Sequence, residues 1–345
     1  MQPIVTGIDA EPVSRWLADN IQGATGPFTF EQIAGGRSNL TYRVLDAVGT
    51  TFVLRRPPLG HVLATAHDMV REHRIISGVR IAGTVPVAPA LGLCVDDAVN
   101  GAPFYVMGFV EGVVLDSPDA GRAFAHPLRG AACRDLIRVL GRLHEVEPDA
   151  VGLGDLGRRE GYLARQLKRW SSQWENSRTR DLAVMDEMRD LLAARMPEQR
   201  YTGIAHGDYR FGNCIVDPHR GAIAAVLDWE LCTLGDQLAD VGYVLMHWID
   251  PGQPSGAEND PSGAPGFLKR DEVLAEYAAV TGRDPGDVGY YEAFACWRLA
   301  CISEGVLSRY KAGVMGESGS YDLAFAQGRV EALAQRGLAA LRGDA

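Results

Sequence analysis

Apolar and polar positions divide the chain into an alternating stretch followed by a long helical one. Residues 10–20 (AEPVSRWLADN) carry apolar side chains at helical spacing and predict a short amphipathic helix. Within FTFEQIAGGRSNLTYRVLDAVGTTFVLRRPP two runs alternate as strands do, Thr41 to Leu45 and Thr51 to Leu54, with a Gly-containing turn between them. AHDMVREHRIISGV predicts a helix with Met69, Ile75 and Ile76 among its apolar positions, and PFYVMGFVEG a buried strand ending at Gly108 or shortly after. From Ala132 the spacing turns helical, with Leu136, Val139, Leu140 and Leu143 on one face. GYLARQLKRWSSQWENS and residues 181–195 then predict a helical hairpin. A break at residues 201–208 introduces two short apolar runs, in IAHGDYRFGNCIVD and AIAAVLDWE, each followed by a loop. Segment 251–266 is rich in Pro, Gly, Ser and Asn and is expected to be a mobile surface loop, after which two or three helices close the chain. A β-rich first third followed by a helical remainder predicts an α+β protein of two lobes.

Composition narrows the partners. The chain has 345 residues, of which 46% are hydrophobic and 23% charged, enough for a large core or two. Its 34 Lys plus Arg against 44 Asp plus Glu give a formal charge of −10, which disfavours general attraction to nucleic acid or anionic membrane. No charged leader precedes an apolar core at the start, and no eighteen apolar residues run uninterrupted, so neither a secretion signal nor a membrane span is expected. Six cysteines, at 94, 133, 214, 232, 296 and 301, form no Cys-x-x-Cys pair, and reduced core thiols of a cytoplasmic protein are the expectation.

The candidate chemistry lies in His206-Gly207-Asp208-Tyr209-Arg210-Phe211-Gly212-Asn213. Asp208 and Asn213 stand five apart on a loop. Fifteen residues beyond Asn213, after an apolar run ending in Val226-Leu227, comes Asp228-Trp229-Glu230. Phosphoryl transfer asks for such a set: a carboxylate at the attacking oxygen, two hard oxygen ligands for Mg²⁺, a cation on the phosphates and a glycine-rich cover.

HGDYRFGN and VLDWE in tandem resemble the aminoglycoside phosphotransferase family, a kinase-like group that also includes choline and homoserine kinases. The likeness runs from about Phe28 to Arg309. It implies a two-lobed protein-kinase-like fold, with an N-lobe over residues 1–110 and a C-lobe over 111–345. It also implies a small-molecule kinase whose Asp208 orients or deprotonates the acceptor hydroxyl and whose Asn213 and Asp228 hold Mg²⁺. Arg210 stands where protein kinases place a Lys near the γ-phosphate. Gly35, Gly36, Arg37, Ser38 and Asn39 correspond to the phosphate-covering loop. Arg55 takes the position of the family's phosphate-binding Lys, a departure, with Glu72 as its ion-pair partner. Met107, Gly108, Phe109 and Val110 resemble the hinge, with main-chain groups around Gly108 and Val110 facing an adenine edge. Within the family, FVLRRPP, AHDMVREHR and PFYVMGFVEG look most like the kinase domains associated with acyl-CoA dehydrogenases, which implies a hydroxyacyl-CoA acceptor. The implied ligands are Mg²⁺, ATP or GTP, and a small-molecule hydroxyl; a homodimer is an allowed assembly.

Plainer readings stand beside these. Asp208 alone is a common turn residue, and His206 reads better as a loop hydrogen-bonder than as a base or metal ligand. Arg55 and Glu72 also suit an ordinary ion pair. Trp170, Trp174 and His144 read as core, and Glu304, Arg309 and Tyr310 as structure before acceptor contacts. Two other functions remain open: a catalytically quiet nucleotide-binding module, favoured by Arg55, and aminoglycoside phosphorylation. No flavin-binding pattern supports an acyl-CoA dehydrogenase activity.

Overall fold

The computed structural model describes residues 5–33, 39–59, 68–253, 260–313 and 322–343. Helix α1 (Ala10–Asn20) is followed by strands β1 (Thr29–Gln32), β2 (Leu40–Leu45) and β3 (Thr51–Arg56). Helix α2 (Met69–Ala82), strand β4 (Ala90–Cys94), the single turn α3 (Asp97–Asn100) and strand β5 (Phe104–Gly108) complete the first part. The five strands form one antiparallel sheet in the order β1-β2-β3-β5-β4. Alternation decides what each face covers. Tyr42, Val44, Phe52, Leu54, Phe104 and Val106 pack with Val13 and Leu17 of α1 in one cluster. Val53, Tyr105 and Met107 belong instead to the main core, with Ile75, Ile76 and Val79 of α2. Asp68 caps α2 by accepting from the Arg71 N–H at 2.9 Å, and Gly83, at φ 70°, ends it.

Beyond residue 110 come β6 (Val113–Val114), α4 (Pro118–Ala123), α5 (His126–His144), α6 (Tyr162–Ser177) and α7 (Ala183–Ala194). Four short strands follow: β7 (Thr202–Ala205), β8 (Cys214–Val216), β9 (Ile223–Val226) and β10 (Thr233–Asp236). Helices α8 (Leu238–His247), α9 (Arg270–Thr281), α10 (Val288–Lys311) and α11 (Leu323–Arg342) end the described chain. Strand β8 pairs with β6 and β9, while β10 pairs back on β7. The two parts meet directly, since the Val226 N–H donates to the Pro86 carbonyl at 2.9 Å.

Two elements differ from the sequence expectation. Helix α8 has no amphipathic signature because all ten of its residues are buried, leaving no polar stripe to mark a period. Segment 251–266 is not wholly a surface loop: Asp260, Pro261 and Ser262 are buried. The Ser262 hydroxyl donates to the Ile249 carbonyl and accepts from the Ile249 N–H, so the polar composition is satisfied inside the protein. Trp170, Trp174 and His144 are core residues, and all six cysteines are buried. Among the described residues, no helix is long and apolar enough to cross a membrane.

Candidate active site

The short strands deliver the candidate residues to one place. Strand β7 ends at Ala205, and the next two N–H groups, of His206 and Gly207, donate to the buried Asp240 carboxylate of α8 at 2.7 and 2.8 Å. His144 adds a third contact to Asp240 at 3.3 Å. Burial pushes the Asp240 pKa up, but its bonds to His144 and Gly207 prevail and hold it below the usual carboxylate range. Gly207 turns the chain at φ 83°, where an added Cβ would lie 2.8 Å from the Leu231 carbonyl oxygen. Its own carbonyl accepts from Arg298 of α10. Fully buried His206 accepts from the Asp208 N–H through Nδ1 at 3.2 Å and reaches the Leu227 carbonyl through Nε2 at 2.9 Å. His206 is therefore a loop brace.

Asp208 emerges from this braced turn. The Asn213 Nδ2 donates to both its main-chain oxygen and its Oδ2, each at 2.7 Å. The other carboxylate oxygen, Oδ1, is buried, with Arg210 Nε 3.9 Å away, and the Tyr243 hydroxyl of α8 lies beside the carboxylate. Arg210 folds back over Gly212, where an added Cβ would meet its Nη1 at 2.2 Å. Its charge also reaches the buried His247, whose pKa is driven far down, first by burial and then by the nearby arginines.

Asp228 follows β9 and is tied in by the Leu227 N–H, which donates to the Asn213 carbonyl at 2.8 Å. Its backbone is left-handed, at φ 61° and ψ 66°. One amide oxygen and one carboxylate, on adjoining loops, match the hard-oxygen chemistry of a magnesium ion that keeps phosphate and water in its shell. Arg55 of β3 donates to Asp228 Oδ1 at 2.9 Å and lies 3.3 Å from Glu72 Oε1 of α2 and 3.9 Å from Glu230 Oε2. Burial raises the Glu72 pKa, with Arg55 opposing. Asn39 donates to Glu230 at 3.2 Å, and Arg71 of α2 to the Glu230 and Cys232 carbonyls. Three side chains of the first part thus converge on residues 228–232.

The remaining expected contacts are arranged as follows. Gly36, Arg37 and Ser38 lie outside the described residues. Met107 is buried at the end of β5, and Gly108 spends its N–H on the Pro89 carbonyl at 2.8 Å, while Val110 lies half-buried in the irregular segment between the two parts. Glu304 is buried against Thr179 and Arg180 and is structural. Asp240, Arg298 and Arg71 were not found from the sequence. A lone carboxylate inside the apolar run LADVGYVLMH is the signal that points to Asp240, because a buried acid requires donors.

A small sheet-rich part, a helical part and a braced Asp–Asn–Asp set between them define a kinase-like phosphotransferase. The profile of the phosphotransferase enzyme family matches residues 29–279, and the chain belongs to that family. Among curated relatives, an Arabidopsis thaliana protein named Probable acyl-CoA dehydrogenase IBR3 is 34% identical over 328 residues, covering 88% of this chain and 39% of that protein. Acyl-CoA dehydrogenase family member 10 of Mus musculus is 34% identical over 301 residues, covering 86% of this chain and 28% of that protein. The chain therefore spans well under half the length of these relatives. A Ralstonia eutropha structure, assigned by name to the aminoglycoside phosphotransferases, superposes with a TM-score of 0.81 at 34% identity, over 97% of this chain and 98% of that one. The ternary complex of aminoglycoside phosphotransferase APH(4)-Ia with ADP and hygromycin B superposes at 0.59 with 16% identity, covering 94% of this chain and 98% of that one, a likeness of fold alone.

Proposed function

We propose that this phosphotransferase moves the γ-phosphoryl group of a Mg-nucleotide, ATP or GTP, onto a hydroxyl of a small molecule. The observation that carries the reading is the Asp208 carboxylate: one oxygen is fixed by Asn213, while the other is buried with the Arg210 guanidinium 3.9 Å away and the Tyr243 hydroxyl beside the carboxylate. An oxygen with this much accepting capacity left would take a hydrogen bond from an incoming hydroxyl. Asp208 would align that hydroxyl and take its proton. Arg210 and Arg55 would counter phosphate charge, and Asn213 and Asp228 would hold the metal. Bound there, Mg²⁺ supplies charge neutralisation on the transferring group. The nucleotide would lie between an N-lobe ending near residue 110 and the C-lobe, against Met107, Gly108 and Val110 and near Asn39.

The likeness to proteins named as acyl-CoA dehydrogenases supports a hydroxyacyl-CoA as acceptor. The test is a screen of Mg-ATP transfer across hydroxyacyl-CoAs, aminoglycosides, choline and simple sugars. Asp208→Ala should lower any turnover found by about 10²–10⁴-fold while nucleotide binding persists. Wild-type turnover in that variant would remove Asp208 from the chemistry.

A further inference from the structure

The Asp228 carboxylate is already engaged. Arg55 Nη2 donates to it at 2.9 Å, the same nitrogen lies 3.9 Å from Glu230, and Nε lies 3.3 Å from Glu72. Of these contacts the one to Asp228 has hydrogen-bond alignment; the Glu72 carboxylate takes hydrogen bonds from the Tyr105 hydroxyl and the Trp229 N–H instead, and Arg55 Nε is buried without an aligned partner among the described residues. One guanidinium therefore balances three carboxylates and is aimed at the proposed metal ligand rather than at α2. Burial works against its charge, but Glu72, Tyr105, Asp228 and Glu230 outweigh burial and raise its pKa, so it stays a cation throughout.

We propose that Arg55 is an internal counter-cation that reserves Asp228 until a polyphosphate arrives, so that metal and nucleotide bind together rather than separately. This rests on the kinase reading and concerns the order in which its ligands are accepted. A divalent ion arriving alone must break the 2.9 Å pair and then sit beside a guanidinium still held between Glu72 and Glu230. A polyphosphate changes the balance, because it offers Arg55 new oxygens in the forked geometry that a guanidinium prefers. Asp228 is released as the nucleotide brings the metal. A lysine at this position would be a compact point charge without the fork, and less able to hold Glu72 and Asp228 at once.

The experiment measures Mn²⁺ binding, by loss of the free-ion electron paramagnetic resonance signal, with and without ADP. It compares the wild type with Arg55→Met, Arg55→Lys and Arg55→Met/Asp228→Asn, each checked for folding by circular dichroism. The wild type should bind Mn²⁺ weakly alone and tightly with ADP. Arg55→Met should bind nucleotide-free Mn²⁺ about tenfold more tightly than the wild type, Arg55→Lys should fall between them, and the double variant should lose the gain. Equal nucleotide-free affinity in the wild type and Arg55→Met overturns the reservation, while Mn²⁺ uptake with ADP in the wild type leaves the kinase reading standing. Absence of that uptake removes both. If Arg55→Met does not fold, Arg55→Lys carries the comparison, and no gain there is equally decisive against the proposal.

Discussion

Asp228 is the one non-glycine residue with a positive φ among the described residues, and a left-handed backbone costs an Asp on the order of 1 kcal/mol. A Gly at this site would adopt the turn without strain but would bring no carboxylate. Asp228→Ala should weaken Mg-nucleotide binding at least about tenfold by calorimetric titration; an unchanged metal dependence would take Asp228 out of the site. Asp240 works at the same scale but from behind. Asp240→Ala strands two backbone donors and His144 in a dry interior, and should lower unfolding free energy by about 3 kcal/mol or more in urea. Asp208, Asn213 and Asp228 were legible because short loops keep them at fixed spacing in the chain. Asp240 and Arg298 were not, because they reach the loop from 34 and 91 residues away, a pairing no local pattern records.

At the scale of elements, α1, β2, β3, α2, β5 and the α6–α7 pair followed from periodicity because each has one covered and one wet face, or a run bounded by turn residues. Helix α8 gave no such signal, although it braces the loop of residues 206–213 through Asp240. Its crossing with α10 is unusually close: a Cβ on Gly242 would stand 2.3 Å from the Tyr291 carbonyl carbon. Gly242→Ala should therefore force the helices apart and cost about 1–3 kcal/mol, despite the higher helix propensity of Ala, read as a lower melting temperature. A melting temperature equal to or above that of the wild type would mean the crossing relaxes freely.

For the whole molecule, the main core runs without interruption from Val53, Tyr105 and Met107 of the sheet, past Trp229 in the turn after β9, to Leu136 and Trp297 among the helices. Calorimetry should give a single unfolding transition, since neither part has the sheet-to-helix face closed on its own. Stability should also depend on pH through Asp260, whose carboxyl burial pushes up to about 6. Its protonated form favours the folded state, a contribution that is whole below about pH 4 and lost as pH rises through 6. The unfolding free energy of Asp260→Asn relative to the wild type should accordingly rise by about 1–3 kcal/mol between pH 4 and 7 in urea titrations. The chain's cations are nearly all arginine: its lysines stand at 168, 269 and 311, each exposed. With Arg55 at the proposed phosphate position, a nucleotide reagent that marks its target by acylating an amine would meet a non-nucleophilic guanidinium instead. In a survey built on such labelling this chain would stay dark even if it carries out the proposed transfer.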